Sequence, residues 1–516
     1  MEQALRRLHE IDAEIQTLNH VSSVLHWDQE TYMPPEAIGE RAEQLALLQG
    51  LIHDRQSSPE IGEGLASLGV SLEAEGGVRK PEGFSPPAAV SLPEAQRAFL
   101  REMSRAYRRA TRLPRRLVTE LARETAIGQR KWADARRERN FSLFSDQLKK
   151  IVSLVREMAE CLGYTEHPYD PLLDEYEPWM KTSEVEGVFG GLRAGLRDLL
   201  QRIHDSGRTV DTEFLGRVYP VDKQREFSLL VLKSIGYDFR RGRLDESAHP
   251  FTTRLGGSDV RLTTRYNEHN FATGIFGTVH ECGHGLYELG MQPELRGTLL
   301  GEGASLGIHE SQSRTWENLI GRSRPFWRHF YPSLTRMFTD ALQGVDLERF
   351  YQGVNSVEPS LIRVEADEVT YNLHIILRFE LEKAVVKGEL EVDDLPEAWN
   401  ARSRELLGIV PPDDSQGVLQ DIHWSGGAFG YFPTYALGNL YAAQFFAVLR
   451  HDLPELDTLL ARGSFAEILE WQRDRIHRFG RKMPAPELCR QVSGGPLGAE
   501  HLLSYLNAKF GEIYGL

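Results

Sequence analysis

Along most of this chain apolar residues recur at intervals of three and four, the spacing that gathers them on one face of a helix. Within 94–163, Leu113, Leu117 and Leu121 lead on to Ile127 and Trp132, and charged residues fill the other faces. The stretches 361–387 and 465–479 read the same way, while alternating β-branched runs are scarce. The expected fold class is mainly α. One stretch departs from that habit: 251–266, FTTRLGGSDVRLTTRY, has a Gly-Gly turn signal followed by alternation. Val260 and Leu262 fall on one face, with Asp259, Arg261 and Thr263 on the other, which predicts a small β-hairpin. The segment 68–92, rich in Gly, Pro and Glu, predicts a surface loop. No repeat and no clean linker divides the rest, so 1–516 is expected to be a single domain.

Composition then removes several classes of function. A formal net charge of −15 over 516 residues repels nucleic-acid backbones at long range. The densest basic run, Arg105, Arg108, Arg109, Arg112, Arg115 and Arg116, lies among helix formers and is expected to be a solvated helix face. Three cysteines, Cys161, Cys282 and Cys489, are too few and too scattered for a disulfide framework or a cysteine zinc cluster, which fits a reducing compartment. The opening MEQALRRLHEIDAEIQ lacks the apolar core of a signal peptide, and no run of about eighteen apolar residues could span a membrane. The expected location is the cytoplasm.

The candidate chemistry sits in GTVHECGHGLYELG. On a helix, His280 and His284 lie about 40 degrees apart on one face, so both imidazoles can hold one ion. Glu281, next to the first histidine, then points toward the open side of the ion, where it can take a proton from a metal-bound water. Cys282 and Gly283 read as small packing residues. A catalytic zinc needs three protein ligands and one open position. Glu310, in GIHESQSRTWENL after the glycine-rich GTLLGEGASLG, is the first candidate for the third, if a helix-loop-helix turn brings it to face the histidines. Glu288, Glu302 and Glu317 compete, and Glu317, two turns beyond Glu310 on the same side, suits support of a ligand. His309 reads equally as a support or a solvated histidine.

Six motifs occur in a fixed order: HPF (249–251), DVRLT (259–263), HECGH (280–284), HESQ (309–312), IRVEAD (362–367) and GVLQDIHW (417–424). With LHWDQETYMPP (25–35) near the start, the set resembles the carboxypeptidase Taq family of metallocarboxypeptidases, and the likeness spans nearly the whole chain. The resemblance implies a mostly helical fold with a small sheet beside a deep groove, a homodimer, and removal of single residues from peptide C-termini. It implies zinc, or cobalt in some members, held by His280, His284 and Glu310, with Glu281 as general base.

The rest of the machinery is expected from chemistry. The oxyanion formed on attack needs a donor that does not titrate near pH 7, which suits a tyrosine hydroxyl. QDIHWSGGAFGYFPTYALGN offers Tyr431 and Tyr435, and related helical zinc peptidases use a histidine and a tyrosine spaced similarly. The preferred pair is His423 with Tyr435, leaving Tyr431 to line the substrate and Trp424 to pack. Removing only the last residue requires a fixed cation for a free carboxylate, and an arginine fork provides it. Arg363 is the first choice and Arg261 the second; each could instead pair within its motif, with Asp367 and Asp259. Gln420 and Asp421 are expected to hold His423 in its working tautomer, with Gln420 also near substrate. His249, before a proline, reads as substrate-lining or structural. Two other functions compete: an oligopeptide endopeptidase or dipeptidase with the same metal chemistry, and a non-catalytic scaffolding dimer with a structural metal.

Overall fold

The computed structural model describes residues 1–72 and 92–516. Most of the predicted 68–92 loop therefore lies outside the described residues. Its near end is not surface: Leu68 and Val70 are buried.

Helices dominate, and the apolar spacing explains where most of them run. The 94–163 stretch is three helices, Glu94–Arg112, Arg115–Glu138 and Ser142–Leu162. Pro114 makes the first break, since a proline ring pushes the preceding residue, Leu113, into extended backbone. Arg139, in the left-handed region at φ 55°, makes the second. Leu117 turns inward as expected, whereas Ile127 is exposed. Of the basic run, only Arg115 and Arg116 are exposed as expected, and the rest is not a solvated face. Arg105 binds Asp174 at 2.9 Å, Arg109 pairs with Glu175, and Arg112 donates to Leu162 O at 2.6 Å. These arginines tie the Glu94–Arg112 helix to its neighbours.

The 361–387 stretch is a 3-10 turn, Arg363–Glu365, followed by the Tyr371–Lys387 helix. Helix starts late because Asp367 Oδ1 accepts from the amides of Val369 and Thr370, at 2.9 and 3.0 Å. Likewise 465–479 is a helix, Ala466–Arg475, that breaks into a 3-10 stretch, His477–Lys482.

The predicted hairpin forms from β2 (Thr252–Gly256) and β3 (Asp259–Thr264), paired antiparallel with Thr252 opposite Leu262. A third strand, β1 (Leu244–Glu246), adds parallel to β3, giving the order β1-β3-β2. Val260 and Leu262 are fully buried, as the alternation requires.

Three apolar clusters fill the interior. Cys282 and Leu286 of the Phe271–Gly290 helix belong to one, and Tyr287 of the same helix belongs to another. The third joins the N-terminal helices Glu2–Thr31, Pro59–Ser67 and Glu94–Arg112 to Leu295, Leu299 and Leu300. Among the described residues no helix is long and apolar enough to cross a membrane.

Candidate active site

The Phe271–Gly290 helix begins where the Asn270 side chain accepts from Thr273 N at 3.2 Å, satisfying an amide that a helix start leaves open. It carries His280, Glu281 and His284. Ser305 starts the Leu306–Arg314 helix in the same way, accepting from Ile308 N at 3.0 Å, and that helix carries His309 and Glu310. Between them the chain turns back through Pro293–Leu295 and Leu299–Gly301, so the expected helix-loop-helix forms. Gly283 lets the two helices touch: a Cβ there would stand 2.5 Å from Gln312 O and from Ser313 Cα.

That approach sets Glu310 between the imidazoles. Its Oε2 lies 3.5 Å from His280 Nε2 and 3.4 Å from His284 Nε2, and the three ligand atoms all fall within 4.8 Å of one another. Donors about 2.0–2.2 Å from a tetrahedral ion stand about 3.3–3.6 Å apart. The cage thus fits a small divalent ion, and two imidazoles with one carboxylate leave a vertex open.

Each of these three side chains is held from behind. His280 Nδ1 donates to Glu317 Oε2 at 2.8 Å, and Glu317 also meets Arg314 at 3.2 Å and Arg322 at 3.5 Å. Glu317 lies in a π-helical turn, Thr315–Ile320, that continues the Glu310 helix. His284 Nδ1 lies 2.6 Å from His309 Nδ1, and His309 Nε2 lies 2.8 Å from Glu288 Oε1. Protons on His284 Nδ1 and His309 Nε2 satisfy both contacts, so Nε2 of each ligand histidine faces the cage. His309 is a support, not a solvated residue. Glu310 Oε1 accepts from Arg314 Nε at 2.7 Å. Of the competitors, Glu317 and Glu288 serve the histidines and Glu302 pairs with Arg481 at 2.8 Å.

Burial opposes charge on Glu310, but Arg314 and the two histidines outweigh it and hold the carboxyl well below its usual range. Glu281 differs. Its Oε2 lies 2.7 Å from the hydroxyl of Thr252, on β2, and burial pushes its pKa up, with His280 and Thr252 offsetting part of that rise.

The second half of the site comes from the C-terminal motifs. Arg363 is buried and paired with Asp421, not Asp367: Nε and Nη2 reach Asp421 Oδ1 at 3.1 and 2.8 Å. Its Nη1 donates to Tyr371 OH at 3.3 Å, and its guanidinium sits 4.9 Å from the Tyr435 ring centroid. The fully buried Arg378 takes the other oxygen of Asp421 at 2.7 Å. Tyr435 OH lies 3.4 Å from His423 Nε2. Tyr435 also rides on the Pro433–Asp452 helix one turn before Gly438, whose missing side chain admits Glu310. A Cβ on Gly438 would stand 2.4 Å from Glu310 Cγ. Arg314, stacked 4.4 Å over the Tyr371 ring, completes the bridge between the halves.

Several expectations meet different partners here. Asp421 is taken by two arginines. Gln420 accepts from Arg363 N at 2.9 Å and donates to Leu361 O and Gln416 O at 3.0 Å, so its amide shapes the Arg363 turn. Neither holds His423, whose Nδ1 has no partner among the described residues. Burial lowers the pKa of His423 to about 4. Arg261 commits Nε and Nη2 to Asp259, at 3.0 and 2.8 Å, and lies 4.2 Å over the Trp27 ring. Tyr431 packs edge-on against Tyr176 and Tyr435, and His249 is exposed between strands. Trp424 is buried against Trp399 and Phe429, as expected. Thr252, Arg314, Tyr371, Arg378 and Gly438 were not foreseen. Only Arg314 left a trace in the sequence, four residues after Glu310.

A model of the carboxypeptidase Taq (M32) metallopeptidase family matches residues 7–510. Thermostable carboxypeptidase 1 of Thermus thermophilus is 46% identical over 100% of this chain and 99% of its own length. Carboxypeptidase 1 of Bacillus subtilis is 38% identical over 97% of each. Among solved structures, an M32 carboxypeptidase from Deinococcus radiodurans R1 superimposes with a TM-score of 0.93 at 37% identity, covering 100% of both chains. Metallocarboxypeptidase 1 of Trypanosoma cruzi gives 0.91 at 32% identity, covering 99% of this chain and 100% of its own.

Proposed function

The chain belongs to the carboxypeptidase Taq (M32) family and is a metallocarboxypeptidase, and on that premise we propose how its side chains divide the work. His280, His284 and Glu310 hold one divalent metal, zinc first and cobalt second. Bound there, the ion supplies an acidified water and polarises the scissile carbonyl. Glu281 takes a proton from the attacking water and delivers it to the leaving amine, and burial, which raises its pKa, favours the first of these transfers. Tyr435 donates its hydroxyl to the developing oxyanion. Burial holds that hydroxyl protonated far above the usual tyrosine range, so it remains a donor across the working pH. His423, kept neutral by burial, orients the hydroxyl from 3.4 Å.

Arg363 receives the substrate's terminal carboxylate through Nη1, exchanging its 3.3 Å bond to Tyr371 OH, because Nε and Nη2 are committed to Asp421. Arg261, whose Nε and Nη2 are likewise committed, here to Asp259, is the second candidate for that carboxylate. Tyr431 lines the cleft beside Tyr435. The whole chain reads as one catalytic domain, since the Phe271–Gly290 helix contributes to two of the three cores. We further propose a homodimer of broad specificity in a reducing compartment, consistent with three free cysteines.

One observation carries the reading: a single carboxylate oxygen of Glu310 stands 3.4–3.5 Å from both imidazole nitrogens. The test is a mass-spectrometric time course on one peptide, with free and amidated C-termini, using metal-free, zinc-restored and cobalt-restored protein. Stepwise loss from the free C-terminus, absent without metal and absent on the amide, is expected. Efficient internal cleavage of the amidated peptide would overturn the assignment in favour of an endopeptidase.

A further inference from the structure

Glu382 is fully buried on the Tyr371–Lys387 helix and accepts three hydrogen bonds. Trp424 Nε1 donates to its Oε1 at 2.7 Å, while Tyr169 OH and Gly430 N donate to its Oε2 at 2.6 and 3.1 Å. Two of these donors bracket the active-site segment. Trp424 directly follows His423, and Gly430 directly precedes Tyr431. Gly430 has φ 91°, and a Cβ there would meet the backbone of Leu172 at 2.5 Å, so no side chain is accommodated at this point. The same helix holds the neighbouring parts of the site. Tyr371 meets Arg363, and Arg378 meets Asp421 just before His423. Residues 371, 378 and 382 lie at spacings of seven and four, which place them along one helix face.

We propose that Glu382 is a positioning residue for catalysis: its carboxylate fixes both ends of the 424–430 turn and thereby sets His423 and Tyr435 against the reacting carbonyl. Within the turn Ala428 N donates to His423 O at 3.0 Å and Gly427 N to Trp424 O at 3.1 Å. No group other than Glu382 bonds Trp424 Nε1 or Gly430 N among the described residues, so this one side chain ties both ends of the turn to the Tyr371–Lys387 helix. A carboxylate suits the place because three donors converge on two acceptor oxygens. An amide in its stead would present N–H groups to one of the two ends. Burial raises the Glu382 pKa to about 7, with the three donors opposing that rise. The group therefore changes charge near neutrality while touching neither metal ligand nor substrate.

This inference rests on the assignment of Tyr435 and His423 above, and the test separates the two. Glu382→Gln, Tyr435→Phe and the double variant are compared with the parent as zinc-loaded full-length enzyme, recording kcat, KM and zinc affinity. Glu382→Gln is expected to lower kcat on the order of 10- to 100-fold, with KM and zinc affinity changed less than about threefold. Added to Tyr435→Phe it should cost little more, because the hydroxyl it positions is gone. If Tyr435→Phe itself leaves kcat unchanged, the oxyanion assignment falls, and Glu382 loses its task with it. If Tyr435→Phe lowers kcat while Glu382→Gln does not, or if the two losses multiply, only the positioning role is overturned. Should Glu382→Gln fail to fold, Trp424→Phe removes one end of the turn and Tyr169→Phe removes the partner outside it. The first should lower kcat and the second should not; equal effects would overturn the proposal.

Discussion

Glu281 and Glu310 are buried glutamates on facing helices, and their pKa values move in opposite directions because only the partners of Glu310 outweigh burial. Glu310 has a guanidinium at 2.7 Å and stays an anion fit to bind metal; Glu281 has a threonine hydroxyl at 2.7 Å and a raised pKa fit for proton transfer. Glu281→Gln should therefore retain metal at one ion per chain by elemental analysis and lose on the order of 10²–10⁴-fold in kcat. Unchanged turnover would remove Glu281 from the reaction. Gly438 makes a second prediction, opposite to what helix propensity says. In a helix interior Gly→Ala ordinarily gains up to about 1 kcal/mol. Here the added methyl would stand 2.4 and 2.6 Å from Cγ and Cβ of Glu310, an overpacking worth about 1–3 kcal/mol. Gly438→Ala should lower thermal stability and weaken zinc binding about tenfold or more in a chelator competition. A variant that binds zinc as tightly as the parent would show that Glu310 has room to give.

At the scale of the element, the start of the Glu310 helix is gripped by another buried acid. Glu177 Oε2 accepts from Gly307 N at 3.0 Å, and Tyr441 OH, on the Tyr435 helix, donates to Oε1 at 3.3 Å. Burial raises its pKa to about 7. Folded protein thus keeps this proton up to about pH 7, whereas the unfolded chain releases it near the ordinary glutamate value. The stability the proton provides is fully present below that ordinary value and is lost as pH rises through 7, a change of about 3 kcal/mol. Glu177→Gln, which mimics the protonated acid, should match the parent near pH 5 and exceed it near pH 8 by roughly that amount in guanidinium unfolding. Parallel pH profiles would sink the claim. Elements of this kind mark the limit of what sequence conveys. The convergence of His280, His284 and Glu310 was legible because a metal-sized cage fixes residue type and spacing. So was the β2–β3 hairpin, from alternation around Gly-Gly. Strand β1 was not, since three residues carry no period, and its partner is set by tertiary pairing with β3. Gly438 and Glu382 were silent for a related reason: each matters through what packs against it from a distant part of the chain.

At the scale of the molecule, the metal site spans the contact between two cores. The Phe271–Gly290 helix gives Leu286 to one and Tyr287 to the other. The Glu310 helix gives Ile308 to the core that holds Tyr287, and its π-helical extension gives Trp316 to the core that holds Leu286. The loop joining the two helices is fixed separately, with Leu295, Leu299 and Leu300 buried against the N-terminal helices and Leu299 N donating to Asp12 at 3.0 Å. A bound ion therefore links two already supported helices. At a free concentration about a thousandfold above Kd it contributes about 4 kcal/mol. Against an unfolding entropy of about 2.1 cal/mol/K per residue, that is only about 4 °C in Tm for a chain of this length. Metal removal should thus move Tm by a few degrees while hydrogen exchange rises sharply in 280–284 and 306–317 and stays unchanged in 295–301. A collapse in Tm of tens of degrees, or loosening that begins in the 295–301 loop, would mean that the ion organises the fold instead of completing a site the fold has already built.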